Sequence, residues 1–302
     1  MEHRLLEYFL AVCEELHFTK AAEKLGISQP TLSQQIRLLE HRVGSPLFQR
    51  IGKKIYITEA GEILHKHSRN MFHELDQAQA AINEIQGMQR GRLRIGCSGN
   101  HLLTATIIAF HALYPKIELS VTELATEETK ERLLSNQLDI GVVFLPDEDE
   151  QFHYIPMYKE QLRLVISDKH PLAQAKAIRL ADLAQLPIAM LQKKFYVRQM
   201  MDDCCEQSGF EWKPAIELST LESLLQMAKN NVGGAILPQS YVDSIRSSGI
   251  RSIPIIEPIP QKDVGIIYRK DMFLCKTMDM FMKQLMQQIG AGKNGNLNAK
   301  QI

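Results

Sequence analysis

Phe18–Ile36 reads FTKAAEKLGISQPTLSQQI, and its punctuation is that of two short helices with a tight turn between them. Ala21, Ala22 and Leu25 give the first helix a close-packing face, Thr19 is placed to cap it, and Gly26 supplies the turn that ends it. Ser28 caps the second helix, where Pro30 is tolerated in the first turn because its missing N–H would have no intrahelical partner. Two helices joined by a short Gly-containing turn form a helix-turn-helix. Leu32, Ile36, Leu39 and Val43 make the buried stripe of the second helix. That leaves Gln29, Pro30, Ser33, Gln34 and Arg37, with Thr31 beside them, on the other face. Gln pairs bidentately with adenine, Ser donates or accepts, a Pro edge touches a thymine methyl, and Arg suits phosphate or guanine. Such a face also occurs on ordinary solvated helices, so this helix alone leaves both readings open.

Upstream, Leu5, Phe9, Val12 and Leu16 put one apolar face on a preceding helix. Downstream, residues 49–57, QRIGKKIYI, set Gly52 between two short alternating runs, which predicts a small hairpin whose tip carries Arg50, Lys53 and Lys54. Local charge changes sign with this geometry. Residues 1–27 hold three basic and five acidic side chains, whereas residues 28–58 hold five basic ones and only Glu40. The whole chain is neutral, with 35 Lys plus Arg against 35 Asp plus Glu, so global charge argues neither for nor against a polyanionic partner, but such a local stripe can track phosphates even on a neutral chain.

From Phe18 through Ile36, then Leu39-Glu40, Gly44, Pro46-Leu47-Phe48, Arg50 and Ile57-Thr58-Glu59-Ala60-Gly61, the sequence resembles the winged helix-turn-helix of LysR-type transcriptional regulators. The resemblance runs over about sixty positions. It implies that Gln29, Pro30, Ser33 and Gln34 fall on base-reading positions and Lys53 on the wing. Many relatives carry Arg where this chain has Gln34.

Thr58 is a good N-cap, and Glu59 and Glu62 lie where the helix dipole favours acids. A long helix follows, in which Leu64, Ser68, Met71, Leu75, Ala78, Ile82 and Ile85 recur at alternating four- and three-residue steps before Gly87 and Gly91. The stripe fits a coiled-coil seam or packing on the chain's own core; the resemblance implies the dimer seam, and assembly into a tetramer. His65, His67 and His73 lie on this helix without further ligands and predict no metal.

From Leu93 onward, strands and helices alternate. Leu93 to Cys97, Ile117 to Val121 and Ile140 to Phe144 read as strands, Leu102 to Leu113 and Glu127 to Leu134 as helices. A second cycle follows, with strands at Ile188 to Leu191, Ala215 to Leu218 and Ala235 to Leu237, and helices at Val197 to Gln207 and Leu221 to Asn230. Leu162 to Ile166 and Val264 to Tyr268 are strands placed to cross between two lobes, and a last helix covers about Lys276 to Ile289.

The fold class expected is therefore α/β, with an α-rich winged helix-turn-helix at the N-terminus and two parallel α/β lobes. The resemblance makes the latter a type 2 periplasmic-binding-protein fold. The expected organisation is a DNA-binding domain over 1–58, a linker helix over 59–88, lobe I over 91–161 and 269–290, lobe II with the crossover strands over 162–268, and a disordered tail over 291–302.

Ligands of open α/β sheets lie beyond the carboxyl ends of strands. Ser98, Gly99 and Asn100 follow the first strand, Thr126 the second, and residues 191–195, LQKKF, the first strand of lobe II. Their hydroxyl, amide and ammonium groups would suit a small anion. The resemblance places an inducer between the lobes at Ser98, Gly99, Asn100, Thr126, Gln192 and Phe195.

No GxSxG, P-loop, HExxH or Rossmann fingerprint occurs, so an enzyme using the cleft has little support and no cofactor is expected. The acidic residues 147–150 lack the spacing of a calcium loop and read as a solvated turn. Five cysteines, Cys13, Cys97, Cys204, Cys205 and Cys275, show neither disulfide nor zinc spacing. Oxidant sensing at Cys204 or Cys205 is the alternative to a small-molecule signal, with burial as small apolar side chains the plainer reading. No run of about 18 apolar residues occurs and the first sixteen residues hold five charged side chains, so neither span nor signal peptide is expected and the chain reads as cytoplasmic. The partners implied by the resemblance are double-stranded DNA, a small-molecule effector, further copies of the chain and RNA polymerase. The sequence does not distinguish activator from repressor.

Overall fold

The computed structural model describes residues 2–52, 54–85, 91–145, 149–245 and 247–298, which form two compact units. In the first, α1 (His3–Glu15), α2 (Phe18–Leu25) and α3 (Gln29–Val43) are followed by the hairpin β1 (Phe48–Ile51) and β2 (Lys54–Ile57), then by α4 (Glu59–Ile85). Leu5, Phe9, Val12, Ala21, Ala22, Leu32, Ile36, Leu39 and Leu47 form its core. Ser28 caps α3 by accepting from the Thr31 N–H at 3.2 Å. The cap of α2 is His17 and not Thr19: His17 Nδ1 accepts from the Lys20 N–H at 3.4 Å. The helix starts two residues earlier, at Phe18, whose ring packs against Phe48, 6.0 Å between centroids.

Glu40, the lone acid of the basic stretch, faces inward to the start of the hairpin. Its Oε1 accepts from the N–H groups of Leu47 at 2.8 Å and Phe48 at 3.3 Å. Thr58 Oγ1 accepts from the Gly61 N–H at 3.1 Å and donates to the Pro46 carbonyl at 2.7 Å, so the cap of α4 also fastens the base of the hairpin. Gly61 lies so close to the Leu47 carbonyl that a Cβ there would overlap it.

The stripe of α4 is divided. Leu64 and Met71 pack on the N-terminal core and Ser68 is buried, while Leu75, Ala78 and Ile82 are exposed. A single seven-residue seam is therefore not available, because the first turns of α4 already cover their own domain. The side chain of Ile85 and residues 86–90, including Gly87, lie outside the described residues, and Gly91 opens a strand instead of closing the helix.

The second unit begins with β3 (Gly91–Cys97), a 3-10 turn over Asn100–Leu102, α5 (Thr104–Leu113), β4 (Ile117–Glu123), α6 (Thr126–Leu134) and β5 (Ile140–Phe144). The long strand β6 (Phe152–Ser167) leads to β7 (Ile178–Arg179), β8 (Ile188–Leu191), α7 (Tyr196–Gln207), β9 (Ile216–Leu218), α8 (Leu221–Lys229), β10 (Gly234–Pro238), α9 (Gln239–Ile245) and β11 (Ile250–Ile256). The chain returns along β12 (Gln261–Arg269) to α10 (Lys276–Asn298).

In lobe I, β4, β3 and β5 are parallel and β12 joins β5 antiparallel; in lobe II, β9, β8 and β10 are parallel and β6 joins β10 antiparallel. Each sheet is thus mixed, not wholly parallel, because the crossover strands are built into it. Residues 261–268 bond to β5 and the first half of β6, which sets them in the sheet of lobe I. Arg94 and Asp139 fix β3 beside β5, with Nη2 to Oδ1 at 2.7 Å and Asp139 almost fully buried. α10 continues past Gly290 to Asn298, where a structureless tail was expected; no proline interrupts its hydrogen-bond ladder.

Removing the carboxylate at Glu40 leaves two backbone N–H groups without their acceptor. Glu40→Ala is expected to destabilise the N-terminal unit by about 1–3 kcal/mol, read as a lowered midpoint in urea.

Candidate functional site

In the first unit, Gln29, Ser33 and Arg37 of α3 and Arg50 of β1 share one wall-to-wall groove of about 540 Å³ with Thr19 and Gln49. Pro30, Thr31 and Gln34 are exposed on the same helix outside that groove, Lys54 is exposed on β2, and Lys53 lies outside the described residues. Gly52, with φ +62°, lets the hairpin turn. Gln29 Nε2 donates to Ser33 Oγ at 2.8 Å. In that bond Ser33 Oγ accepts, so the pair retains an acceptor, Gln29 Oε1, and a donor, the Ser33 hydroxyl. Glu40 also borders the groove, but its carboxylate is turned onto the backbone of Leu47 and Phe48, so the outward charge of the groove is the guanidinium charge.

In the second unit the strand ends of both lobes meet at a cleft. Ser98 follows β3, Thr126 opens α6, and Phe195 and Tyr196 open α7 on the other lobe. Ser98 Oγ and Thr126 Oγ1 are 3.4 Å apart. The rings of Phe144 and Tyr196 stack across the gap, 5.6 Å between centroids and 10° between planes. The space that remains is about 20 Å³, room for a single water.

Of the residues expected to hold a ligand, Ser98, Thr126 and Phe195 line this cleft; Gly99, Asn100 and Gln192 do not. Asn100 is turned away because its N–H donates to Glu123 Oε2 at 3.2 Å and its Oδ1 accepts from Cys97 Sγ at 3.4 Å. Gln192 is exposed, its N–H held by the Leu218 carbonyl. Sequence reasoning missed His101, Glu123, Phe144, Glu160 and Tyr196. Glu123 had a readable signal, since it ends β4 and so lies at the carboxyl edge of the sheet. Glu160 had none, because it lies in the middle of a long crossover strand.

Among the described residues no Lys or Arg lines the cleft. Lys194 and Lys262 instead rest over the rings of Phe195 and Tyr196, at 5.1 and 5.7 Å. His101, half-buried at the cleft, pairs its Nε2 with Ser240 Oγ at 3.0 Å and sets its ring edge against Tyr241. Burial lowers it to about 4, so it is neutral at pH 7. Burial also raises the thiols: Cys13 and Cys205 to about 12, Cys97 to about 11, and Cys204 above its ordinary value. Among the described residues no cluster of His, Cys, Asp and Glu is arranged for a metal ion; His65 accepts from Arg69 Nε at 3.0 Å. Asp149 accepts from the Gln151 N–H at 3.0 Å, while Asp147 and Glu148 lie outside the described residues. No described helix is long and apolar enough to cross a membrane.

A helix-turn-helix with a basic hairpin, carried on the same chain as a two-lobed α/β domain with a cleft, defines a DNA-binding regulator with an effector-binding domain. The chain belongs to the LysR family: residues 3–62 match the bacterial regulatory helix-turn-helix protein, lysR family, and residues 86–290 the LysR substrate binding domain. It is 32% identical over 273 residues to the DNA-binding transcriptional dual regulator OxyR of Escherichia coli K12, covering 89% of this chain and 90% of that protein. Full-length OxyR from Pseudomonas aeruginosa, in a variant form, shares the fold at TM-score 0.70 with 24% identity, over 96% of this chain and 94% of that one. Full-length CbnR in complex with its target DNA does so at TM-score 0.69 with 23% identity, over 95% and 99%.

The lowered His101 sets a pH dependence. Between about 6.5 and 4 the unfolded chain holds the proton that folded His101 refuses, so stability is present above that window and falls as pH drops through it. Urea unfolding of wild type should lose at most about 3 kcal/mol more than His101→Gln between pH 7.5 and pH 4; equal losses would show that His101 does not carry the effect.

Proposed function

We propose that this protein reads a partly palindromic DNA site as a homo-oligomer, with α3 in the major groove and the hairpin on the adjoining backbone, and that a small molecule entering the inter-lobe cleft changes how its subunits are disposed. The observation that carries the DNA reading is the Gln29–Ser33 pair. Its outward acceptor and donor match the N6 amine and N7 of adenine, whereas guanine offers two acceptors there. Arg37, Arg50, Lys53 and Lys54 contact phosphates, with Pro30, Thr31 and Gln34 along the same helix face. Exposed Leu75, Ala78 and Ile82 form the part of the seam that α4 leaves for a second copy.

Ser98, Thr126 and Phe195 are the effector contacts that the cleft supports, and Gly99, Asn100 and Gln192 drop out of the set. A metabolite larger than water requires the Phe144–Tyr196 stack to part, which ties occupancy to the angle between the lobes. No step of catalysis is assigned to the cleft. The relative in Escherichia coli O6:H1 is called a hydrogen peroxide-inducible genes activator. Here the raised thiols favour a small-molecule signal over oxidation at Cys204 or Cys205, since the thiolate is the reactive form.

Selection of binding sites from random DNA by the full-length protein tests the reading. Ser33→Ala is expected to lose preference at one adenine position by about 1–3 kcal/mol with little change on non-cognate DNA. Arg50→Ala should weaken binding to all sequences and lower the salt slope by about one. Unaltered base preference in Ser33→Ala would remove this face as the reader. For assembly, Leu75→Asp should shift sedimentation to a smaller species; an unchanged coefficient would remove α4 as the interface.

A further inference from the structure

Behind the cleft lies a separate chamber of about 570 Å³, open at one side, between the start of α5, the middle of β6 and the start of α9. It is within the size range of small-molecule sites, while the cleft is closed down to a single water. His101, Leu102 and Glu160 stand in the walls of both.

The floor of the chamber holds Glu160, which is 2% exposed. Its Oε1 accepts from the N–H groups of Ser240 at 3.1 Å and Gln161 at 3.3 Å, and its Oε2 accepts from Tyr158 OH at 3.2 Å. These donors are all neutral. A buried carboxylate without a cation is unfavourable, and burial accordingly raises its affinity for a proton. The Ser240 side chain is a further neutral hydrogen-bonding partner of the carboxylate. Lys159 and Asp243, the other charged lining groups, are both exposed at the rim, and Asp243 lies in the field of Arg163. His101 is neutral there. Leu102, Ala105, Met157 and Ile289 supply an apolar wall.

We infer that this chamber is a second small-molecule site, selective for an organic ammonium with a compact apolar body, whose charged head donates to Glu160. Leu102 and Ala105 belong to lobe I and Gln239 and Ser240 to lobe II, so the ligand touches both lobes across the crossover. It therefore binds one lobe angle better than another and biases the regulator from a point distinct from the cleft.

Titration calorimetry of the full-length protein with 2-phenylethylamine, 2-phenylethanol and 3-phenylpropionate tests this. The amine is expected to bind at least tenfold more tightly than either other probe, and Ala105→Trp, which fills the chamber from an exposed helix position, should abolish it. Glu160→Gln should reduce the preference for amine over alcohol to less than threefold. Hydrogen exchange should show amine-dependent protection in peptides spanning 101–106 and 239–243. Failure of all three probes to bind would overturn the chamber as a site, and equal or tighter binding of the carboxylate would overturn the ammonium assignment. Protection at 195–197 without 239–243 would put the amine in the cleft, which overturns this inference and leaves the cleft reading standing.

Discussion

Everything in the second unit hangs on β6 being one unbroken strand. Nine of its first ten residues pair with β12 in the sheet of lobe I, Met157 being skipped, and its last six pair with β10 and β11 in lobe II. A strand shared by two sheets cannot change register in one without disturbing the other, because a one-residue slip turns every side chain to the opposite face. The lobes are therefore free to vary chiefly in the angle between them. The irregularity in the pairing falls at Val264/Gly265, where a Cβ on Gly265 would come within 2.5 Å of the Ile155 carbonyl. A bulge concentrates bending and twist at one point.

The N-terminal unit meets a different constraint with the same economy. Glu40 and Thr58 both reach the short segment Pro46–Phe48, one from α3 and one from the cap of α4. Between them they settle where the hairpin leaves the helical core. The base of the hairpin is consequently placed by these two hydrogen-bonding side chains. This arrangement also withdraws the one acid of the stretch from the outward face, so local charge follows from local folding.

Much of this was legible in the sequence because it rests on periodicity and punctuation. Gly26 marks the end of α2, and Ser28 and Pro30 the start of α3, by rules that depend only on backbone donors and φ. What was not legible involves contacts distant in sequence. Thr19 looked like a cap, but Phe18 packs against Phe48 and the cap moves to His17, so the helix starts at Phe18. The α4 stripe looked continuous, but packing on the chain's own core takes Leu64 and Met71. Gly99 and Asn100 looked like ligand donors, yet Glu123 from a neighbouring strand already accepts from the Asn100 N–H. Glu160 is opaque for the same reason: its burial comes from α9, eighty residues further along.

The closed cleft is held by contacts of modest individual strength. One aromatic stack, Phe144 on Tyr196, is worth about 0.5–1.5 kcal/mol beyond its buried area. The His101–Ser240 hydrogen bond adds about 1 kcal/mol net. A few kcal/mol is the scale that a small ligand's differential affinity can overcome, whereas a large apolar inter-lobe core would not yield to it. His101 couples the two openings: packed over Gly99 and bonded to Ser240, it stands in the wall of the cleft and of the chamber, so moving its ring alters both at once. A neutral imidazole suits this position, because it bonds a hydroxyl without drawing a counter-ion into the wall. Among the described residues that line the chamber, Glu160 is the one buried carboxyl, while Lys159 and Asp243 are exposed at the rim.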